Sequence, residues 1–157
     1  MQSVKFTALP TDQVQALRAG GPDANGKPSE RAVSNGAGNP CRHCLNWIPE
    51  GKDMLVMNHR PFDSVQPYAE SGPLFVCADE CERWEGDGVP PVLAEEGEAR
   101  LLKGYSPDDR IVYGLGRIVE PEDIPDQARV VLDDPRVAYV HVRSSTNNCY
   151  TCRIDPA

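Results

Sequence analysis

The sequence predicts a single α+β domain, mainly antiparallel sheet with two short helices and long loops. Short apolar runs, alternating or continuous, recur between turn signals, as strands do. Only two stretches repeat with helical period. The chain carries 15 prolines and 13 glycines against 6% aromatic residues, which favours loops and short strands over a helix bundle. A length of 157 residues suits one domain over 1–157. A domain of that size buries roughly 68–70% of its unfolded surface, so a core forms without staples.

Taken in order, residues 4–9 alternate apolar and polar and read as a first strand. Pro10 then opens a short helix, with Thr11 or Asp12 as N-cap and Val14 and Leu17 on one face. Gly20, Gly21 and Pro22 stop it. Residues 20–40, rich in Gly, Pro, Ser and Asn, show no period and read as one long loop. Residues 49–52 form a tight turn. Residues 53–58 and 74–77 read as buried strands, with Cys81 in a polar turn after the second. Residues 85–91 read as a loop. Residues 99–105 and 111–119 flank the turn Ser106-Pro107-Asp108-Asp109 and read as a hairpin. Ile124, Ala128, Val131 and Leu132 fall at i, i+4, i+7 and i+8, a helical face within residues 121–132, with Pro125 in its first turn. Residues 136–142 alternate as a strand, and residues 150–154 close the chain as another. Alternation there sets Tyr150 and Cys152 on one face.

The net charge of −8 repels phosphate backbones and excludes general nucleic-acid binding. The acidic clusters (Asp79, Glu80, Glu82, Glu85 and Asp87, then Glu95, Glu96 and Glu98) read as solvated loops in preference to a cation site. No stretch approaches the ~20 apolar residues of a membrane helix. The opening Met1-Gln2-Ser3-Val4-Lys5-Phe6 has no apolar secretory core. A cytoplasmic location is the expectation, and there close cysteine pairs are metal-binding or catalytic more often than disulfide-bonded.

Two such pairs organise the sequence: Cys41-Arg42-His43-Cys44 and Cys77-Ala78-Asp79-Glu80-Cys81. A gap of two or three residues lets both thiolates of a loop face one ion. Zinc takes four such ligands at about 2.3 Å. One pair precedes a predicted strand and the other ends one, so neighbouring strands would bring four sulfurs together. The reading is a structural zinc site on Cys41, Cys44, Cys77 and Cys81, with His43 or His59 replacing a thiolate as a variant. Iron in a four-sulfur site has similar ligands. The alternative is a thiol–disulfide redox protein, in which Cys41 attacks and Cys44 resolves; the basic residue and histidine inside the motif would lower a thiol pKa. That chemistry wants the motif to open a helix, whereas Trp47, Ile48 and Pro49 follow at once. Unrelated free or buried thiols are the plain alternative. Pro40-Cys41-x-x-Cys44 also matches half of the zinc nucleobase deaminase signature, but no histidine precedes His43, so that match fails.

Cys149 and Cys152 form a third pair, at a spacing that in a strand sets the two on opposite faces. They read as packing residues ahead of a second metal clip or a local disulfide. His141, Arg143, Asn147 and Asn148 lie close by in sequence. Polar groups at a strand end are a place for a binding site, though an ordinary exposed turn explains them as well.

Three stretches resemble a bacterial family of uncharacterised proteins, the domain of unknown function 1203 (DUF1203). They are Pro40-Cys41-Arg42, then Pro67-Tyr68-Ala69-Glu70-Ser71-Gly72-Pro73-Leu74-Phe75-Val76, then Val137-Ala138-Tyr139-Val140-His141-Val142 leading to Cys149. The opening Phe6-Thr7-Ala8-Leu9-Pro10 is similar too. The resemblance implies no activity. It implies that many relatives keep cysteines like Cys41 and Cys149 and lack counterparts of Cys44, Cys77 and Cys81. A four-cysteine site would then mark a cysteine-rich subgroup and serve structure. Residues matching the wider pattern, namely Arg42, Tyr68, His141 and Cys149, are candidates for a shared pocket. The expected role is a small-molecule- or partner-binding module.

Overall fold

Eight strands form two antiparallel sheets, seen in a computed structural model that describes residues 3–94 and 98–157. Met1, Gln2, Glu95 and Glu96 lie outside the described residues, so the readings made on them go no further. The five-stranded sheet has the order β1 (Val4–Thr7), β8 (Tyr150–Pro156), β7 (Tyr139–Ser144), β5 (Arg100–Tyr105) and β6 (Arg117–Val119). The three-stranded sheet is the meander β2 (Glu30–Val33), β3 (Asp53–His59) and β4 (Gly72–Cys77). Three helices accompany them: α1 (Thr11–Arg18), α2 (Pro91–Ala94) and α3 (Ile124–Leu132). The predicted α+β class therefore holds, with the sheet split in two and one four-residue helix more than expected.

Each sheet carries its own core. In the larger, α3 lays Ile124, Ala128, Val131 and Leu132 onto Leu102, Val140, Val142, Cys152 and Ile154. These are the four helix positions that the period marks, and Pro125 sits in the first turn, where a missing N–H is harmless. In the smaller, Val14 of α1 packs with Met54, Leu55, Met57, Leu74 and Val76. Tyr105 and Ile111 form an isolated bridge beyond the β5–β6 ladder, so the expected hairpin is present, with its second strand shortened to three residues.

Three local expectations change. Neither Thr11 nor Asp12 caps α1: Pro10 occupies the N-cap position without a side-chain bond. Thr11 is the first helical residue, and its hydroxyl is engaged by His43 Nε2 at 2.9 Å. Residues 20–40 are not all loop. Asp23 gathers the backbone N–H groups of Asn25, Lys27 and Asn58, and the chain then runs into β2, an edge strand on β3. Three of the four β2 residues are exposed, Val33 at 61%, so no buried face leaves a period of two in the sequence. Finally, Tyr150 and Cys152 do not share a face. Val142 pairs with Cys152 and Arg143 with Tyr150, leaving Thr151 as a bulge. The extra residue turns Tyr150 to the second core while Cys152 stays in the first.

Gly104 in β5 lies directly under α3. A Cβ there would sit 2.9 Å from Val131 Cγ1 and 3.2 Å from Val137 Cγ2. Gly104→Val should therefore destabilise by about 1–3 kcal/mol through overpacking. Thermal melting should fall by roughly 2–4 °C per kcal/mol. Gly88→Ala, which meets open space, is the control that should not move.

Candidate metal centre

Residues 40–48 make a tight excursion closed by a bridge between Pro40 and Trp47. Cys41 N–H donates to Asn46 O at 3.0 Å and Leu45 N–H to Cys41 O at 2.9 Å. Leu45 takes a left-handed φ of 54°, which turns the chain back on itself after Cys44. The segment is a turn, not the start of a helix. The second pair leaves the end of β4, where Ala78 N–H donates to Asp53 O at 3.1 Å and keeps the exit against β3.

Because Arg42 N–H donates to Phe75 O of β4 at 3.1 Å, the two cysteine loops lie side by side. The sulfurs of Cys41, Cys44, Cys77 and Cys81 all fall within 4.8 Å of one another. A tetrahedron with metal–sulfur bonds of 2.3 Å has edges of ~3.8 Å; Cys41 and Cys81 are 3.9 Å apart. No two of the six cysteines form a disulfide. Four sulfurs so grouped could hold a metal ion. His43 and His59 are not among them. His43 instead backs the cluster, its Nδ1 3.1 Å from Cys81 Sγ.

The surroundings suit negative sulfur. Arg18, in the last turn of α1, donates from Nη2 to Cys81 Sγ at 3.2 Å and from Nε to Cys77 O at 3.1 Å. Cys77 N–H donates to Cys41 Sγ at 3.3 Å. The crowded thiols cannot ionise alike. Hydrogen bonds from Cys44 and then Cys77 draw the Cys41 thiol down, and those from Cys41 and Cys44 draw Cys81 down. Cys41 pushes both Cys44 and Cys77 up.

The four pocket candidates are placed differently. Arg42 is buried and spent on carbonyls, Nε on Tyr150 O at 2.9 Å and Nη1 on Pro40 O at 3.0 Å. Burial lowers its pKa to about 10, against the opposing pull of Cys149 and Cys41. His141 is buried among Tyr105, Tyr150, Phe62 and Tyr139, with ring centroids 4.6–5.2 Å away. Arg143 Nη2 donates to its Nδ1 at 3.1 Å, which leaves the proton on Nε2. Cys149 is half-buried in a small cavity with His59 and Arg143. Tyr68 stands apart, edge-on to Tyr113 and under the Arg110 guanidinium. Sequence reasoning passed over Arg18, and named Arg143 only as one of several polar groups near a strand end. An arginine at a helix C-terminus has an ordinary dipole explanation, and Arg143 declares itself only once its burial is seen. Cys152 is inert packing, its thiol pushed up to about 12 by desolvation.

Fold and sulfur cluster together define a small α+β protein with a four-cysteine site able to hold a metal ion. The chain belongs to the family described as a protein of unknown function, DUF1203, whose profile matches residues 38–155. The likeness at residues 6–10 falls outside that match. Searches of curated proteins and of solved structures each returned no match. Among the described residues, no helix is long and apolar enough to cross a membrane.

His59, at the end of β3, supplies a pH dependence. Burial, with Arg42 adding to it, holds the imidazole pKa down to about 4, whereas the unfolded chain titrates near 6.5. The fold keeps the ring neutral, so its stability is whole above pH ~6.5 and is lost as pH falls towards 4. The loss by pH 4 should be about 3 kcal/mol. Urea unfolding of wild type and His59→Gln at pH 7 and pH 4 checks this. The variant should lose about 3 kcal/mol less, and the comparison cancels the titration of the thiols.

Proposed function

We propose that Cys41, Cys44, Cys77 and Cys81 hold one zinc ion that serves structure, in a cytosolic module that binds a small molecule or a protein partner. The observation that carries this is the convergence of four sulfurs from two loops, each loop already fixed by backbone hydrogen bonds. Bound zinc would supply four strong bonds across the two loops and, with all positions taken by thiolate, no open site for a substrate. Arg18, His43 and the Cys77 N–H would orient the thiolates and offset their charge. The absence of disulfides supports a reducing compartment. The three cysteines beyond Cys41 support a cysteine-rich subgroup of the family.

The redox reading is weaker. Cys41, the attacking thiol in that scheme, is 0% exposed, and the motif does not open a helix. An external disulfide could not reach its sulfur.

Elemental analysis of protein purified without added metal or a His tag tests the proposal. It should give about one zinc per chain, and chelation should release four thiols. Structural zinc binds with about 10–16 kcal/mol apparent at neutral pH, so Cys77→Ser should lose metal and stability together. Unchanged metal content in Cys77→Ser would remove that residue from the ligand set. No metal at all, with Cys41 and Cys44 oxidised, would put the redox reading first. Arg18→Gln should leave four ligands in place and weaken zinc by about 10–100-fold in a chelator competition.

A further inference from the structure

A second site lies away from the sulfur cluster, on the face of the larger sheet that α3 does not cover. Arg153 alternates in β8 with the core residues Cys152 and Ile154, so it points to that other face, where Thr7 of β1 is its cross-strand neighbour. A cavity of about 240 Å³ opens there between residues 7–10, Arg153 and the segment 59–63 at the end of β3. Three arginines line it: Arg60, Arg83 and Arg153. Each is held along one edge. Arg60 Nε donates to Ala69 O at 3.2 Å, Arg83 Nε and Nη2 to Leu9 O at 3.1 Å and Ala8 O at 2.7 Å, and Arg153 Nε to Asp155 Oδ1 at 2.6 Å. Among the described residues no acceptor takes either Nη of Arg60 or Arg153, or Nη1 of Arg83, and none of these nitrogens is sealed from solvent. The Arg153 side chain is 42% exposed.

The cavity reverses the sign of the chain. Asp63, which is exposed, is the only acidic residue that lines it among the described residues. The charged groups bonded to or stacked on a lining residue are Arg42 at the Tyr150 carbonyl, Arg143 over the Tyr150 ring, Asp155 on Arg153 and Thr7, and Asp12 at the Gln13 N–H. Five guanidiniums (Arg42, Arg60, Arg83, Arg143 and Arg153) against three carboxylates (Asp12, Asp63 and Asp155) leave two positive charges, in a protein that carries −8 overall. A phosphate monoester is close to dianionic at neutral pH and matches that balance. A carboxylate offers two oxygens in one plane and suits one guanidinium, whereas the oxygens of a phosphate can each take a different arginine. A second cavity, of about 380 Å³, adjoins the first, and Gln13, His59, Arg60, Phe62 and Asp63 line both. Its wall adds Leu17, Met57 and Val65, apolar side chains that suit the body of such an ester.

We propose that the first cavity binds the phosphate of a small phosphate monoester, its oxygens accepting from Nη atoms of Arg60, Arg83 and Arg153, with the apolar body of the ester in the second cavity. This ligand class rests on the small-molecule reading above and not on the metal. The carbonyls that hold Arg60 and Arg83, and the carboxylate that holds Arg153, fix the guanidiniums in advance, which lowers the ordering cost of binding.

Calorimetric titration of the full chain as purified, with its zinc content recorded, tests this at about 20 mM salt, where screening is weak. Inorganic phosphate should bind once per chain, and phenyl phosphate about tenfold more tightly. Arg60→Gln and Arg153→Gln should each weaken phosphate about tenfold. Lys52→Gln, which removes an exposed charge just before β3, should not. Asp63→Asn removes an exposed carboxylate with no hydrogen bond among the described residues, so it should fold normally and tighten phosphate about threefold. The His59 ring, in the wall of both cavities, should shift in NMR spectra as phosphate is added, while His43 beside the sulfurs should not. No saturable binding of phosphate or phenyl phosphate below about 10 mM, or wild-type affinity in both Arg60→Gln and Arg153→Gln, would overturn the proposal. So would a shift of His43 without His59, which would put the anion at the sulfur cluster. Acetate binding as tightly as phosphate would overturn the assignment to phosphate, and phenyl phosphate binding no tighter than phosphate would overturn the assignment to an ester. Zinc content decides none of these outcomes, so the metal reading and this one fail separately.

Discussion

Arg42 ties the two sheets of this protein together through both its peptide and its side chain. Its N–H bonds to β4, its carbonyl accepts from Leu9 after β1, and its guanidinium reaches the carbonyl of Tyr150 at the start of β8. Its neighbours in the turn extend the connection. His43 O accepts from Trp84, and Leu45 O accepts from Val92. Leu45 enters the core of the larger sheet, while Cys41 and Ile48 enter that of the smaller. The turn at 40–48 is thus the join between two cores. The sulfur cluster exists because that join presses the first cysteine pair against the end of β4.

Arg42 also shows how a loop-rich chain satisfies its backbone. Long irregular stretches leave carbonyls without ladder partners, and buried carbonyls need donors. Here inward-facing arginines supply them. Arg83 donates to the carbonyls of Ala8 and Leu9, Arg100 to that of Val92, and Arg18 to that of Cys77. A guanidinium carries five donors in a fixed plane, so one side chain can tie a loop at two points. The chain is acidic as a whole, at −8, yet Arg42, Arg100 and Arg143 are buried. Part of its positive charge is thus placed inside as cross-links.

What the sequence disclosed follows from which signals are local. The α3 face, the buried β3 and β4 and the two cysteine pairs all rest on spacings of a few residues, and all can be read from the chain. So can the general membership in DUF1203, carried by residues 67–76 and 137–142 within the match. Features that depend on a partner distant in sequence could not be read. β2 has no hydrophobic period because only β3 holds it. The Thr151 bulge depends on the register of β7 against β8, and it reverses the face of Tyr150. Thr11 has the composition of a cap, but His43, thirty-two residues away, takes its hydroxyl. Of the pocket candidates, Arg42, His141 and Cys149 all lie around Tyr150, while Tyr68 pairs with Tyr113, and neither placement leaves a spacing signal in the chain.

The position of the cysteines follows from the unequal cover of the two cores. The larger sheet has the nine-residue α3 across it, with four apolar side chains turned inward. The smaller sheet has the eight-residue α1, of which Val14 is fully buried, and otherwise loops. A helix that short has little stability of its own. Its attachment therefore rests on side chains near its two ends. Thr11 at its start holds His43, and Arg18 at its end holds Cys77 and Cys81. Both contacts terminate on the four-sulfur cluster or on the residue that backs it. Whatever fixes the sulfurs thus also fixes α1, and with α1 the lid of the smaller core. The four sulfurs are thus coupled to the fold well beyond their own two loops.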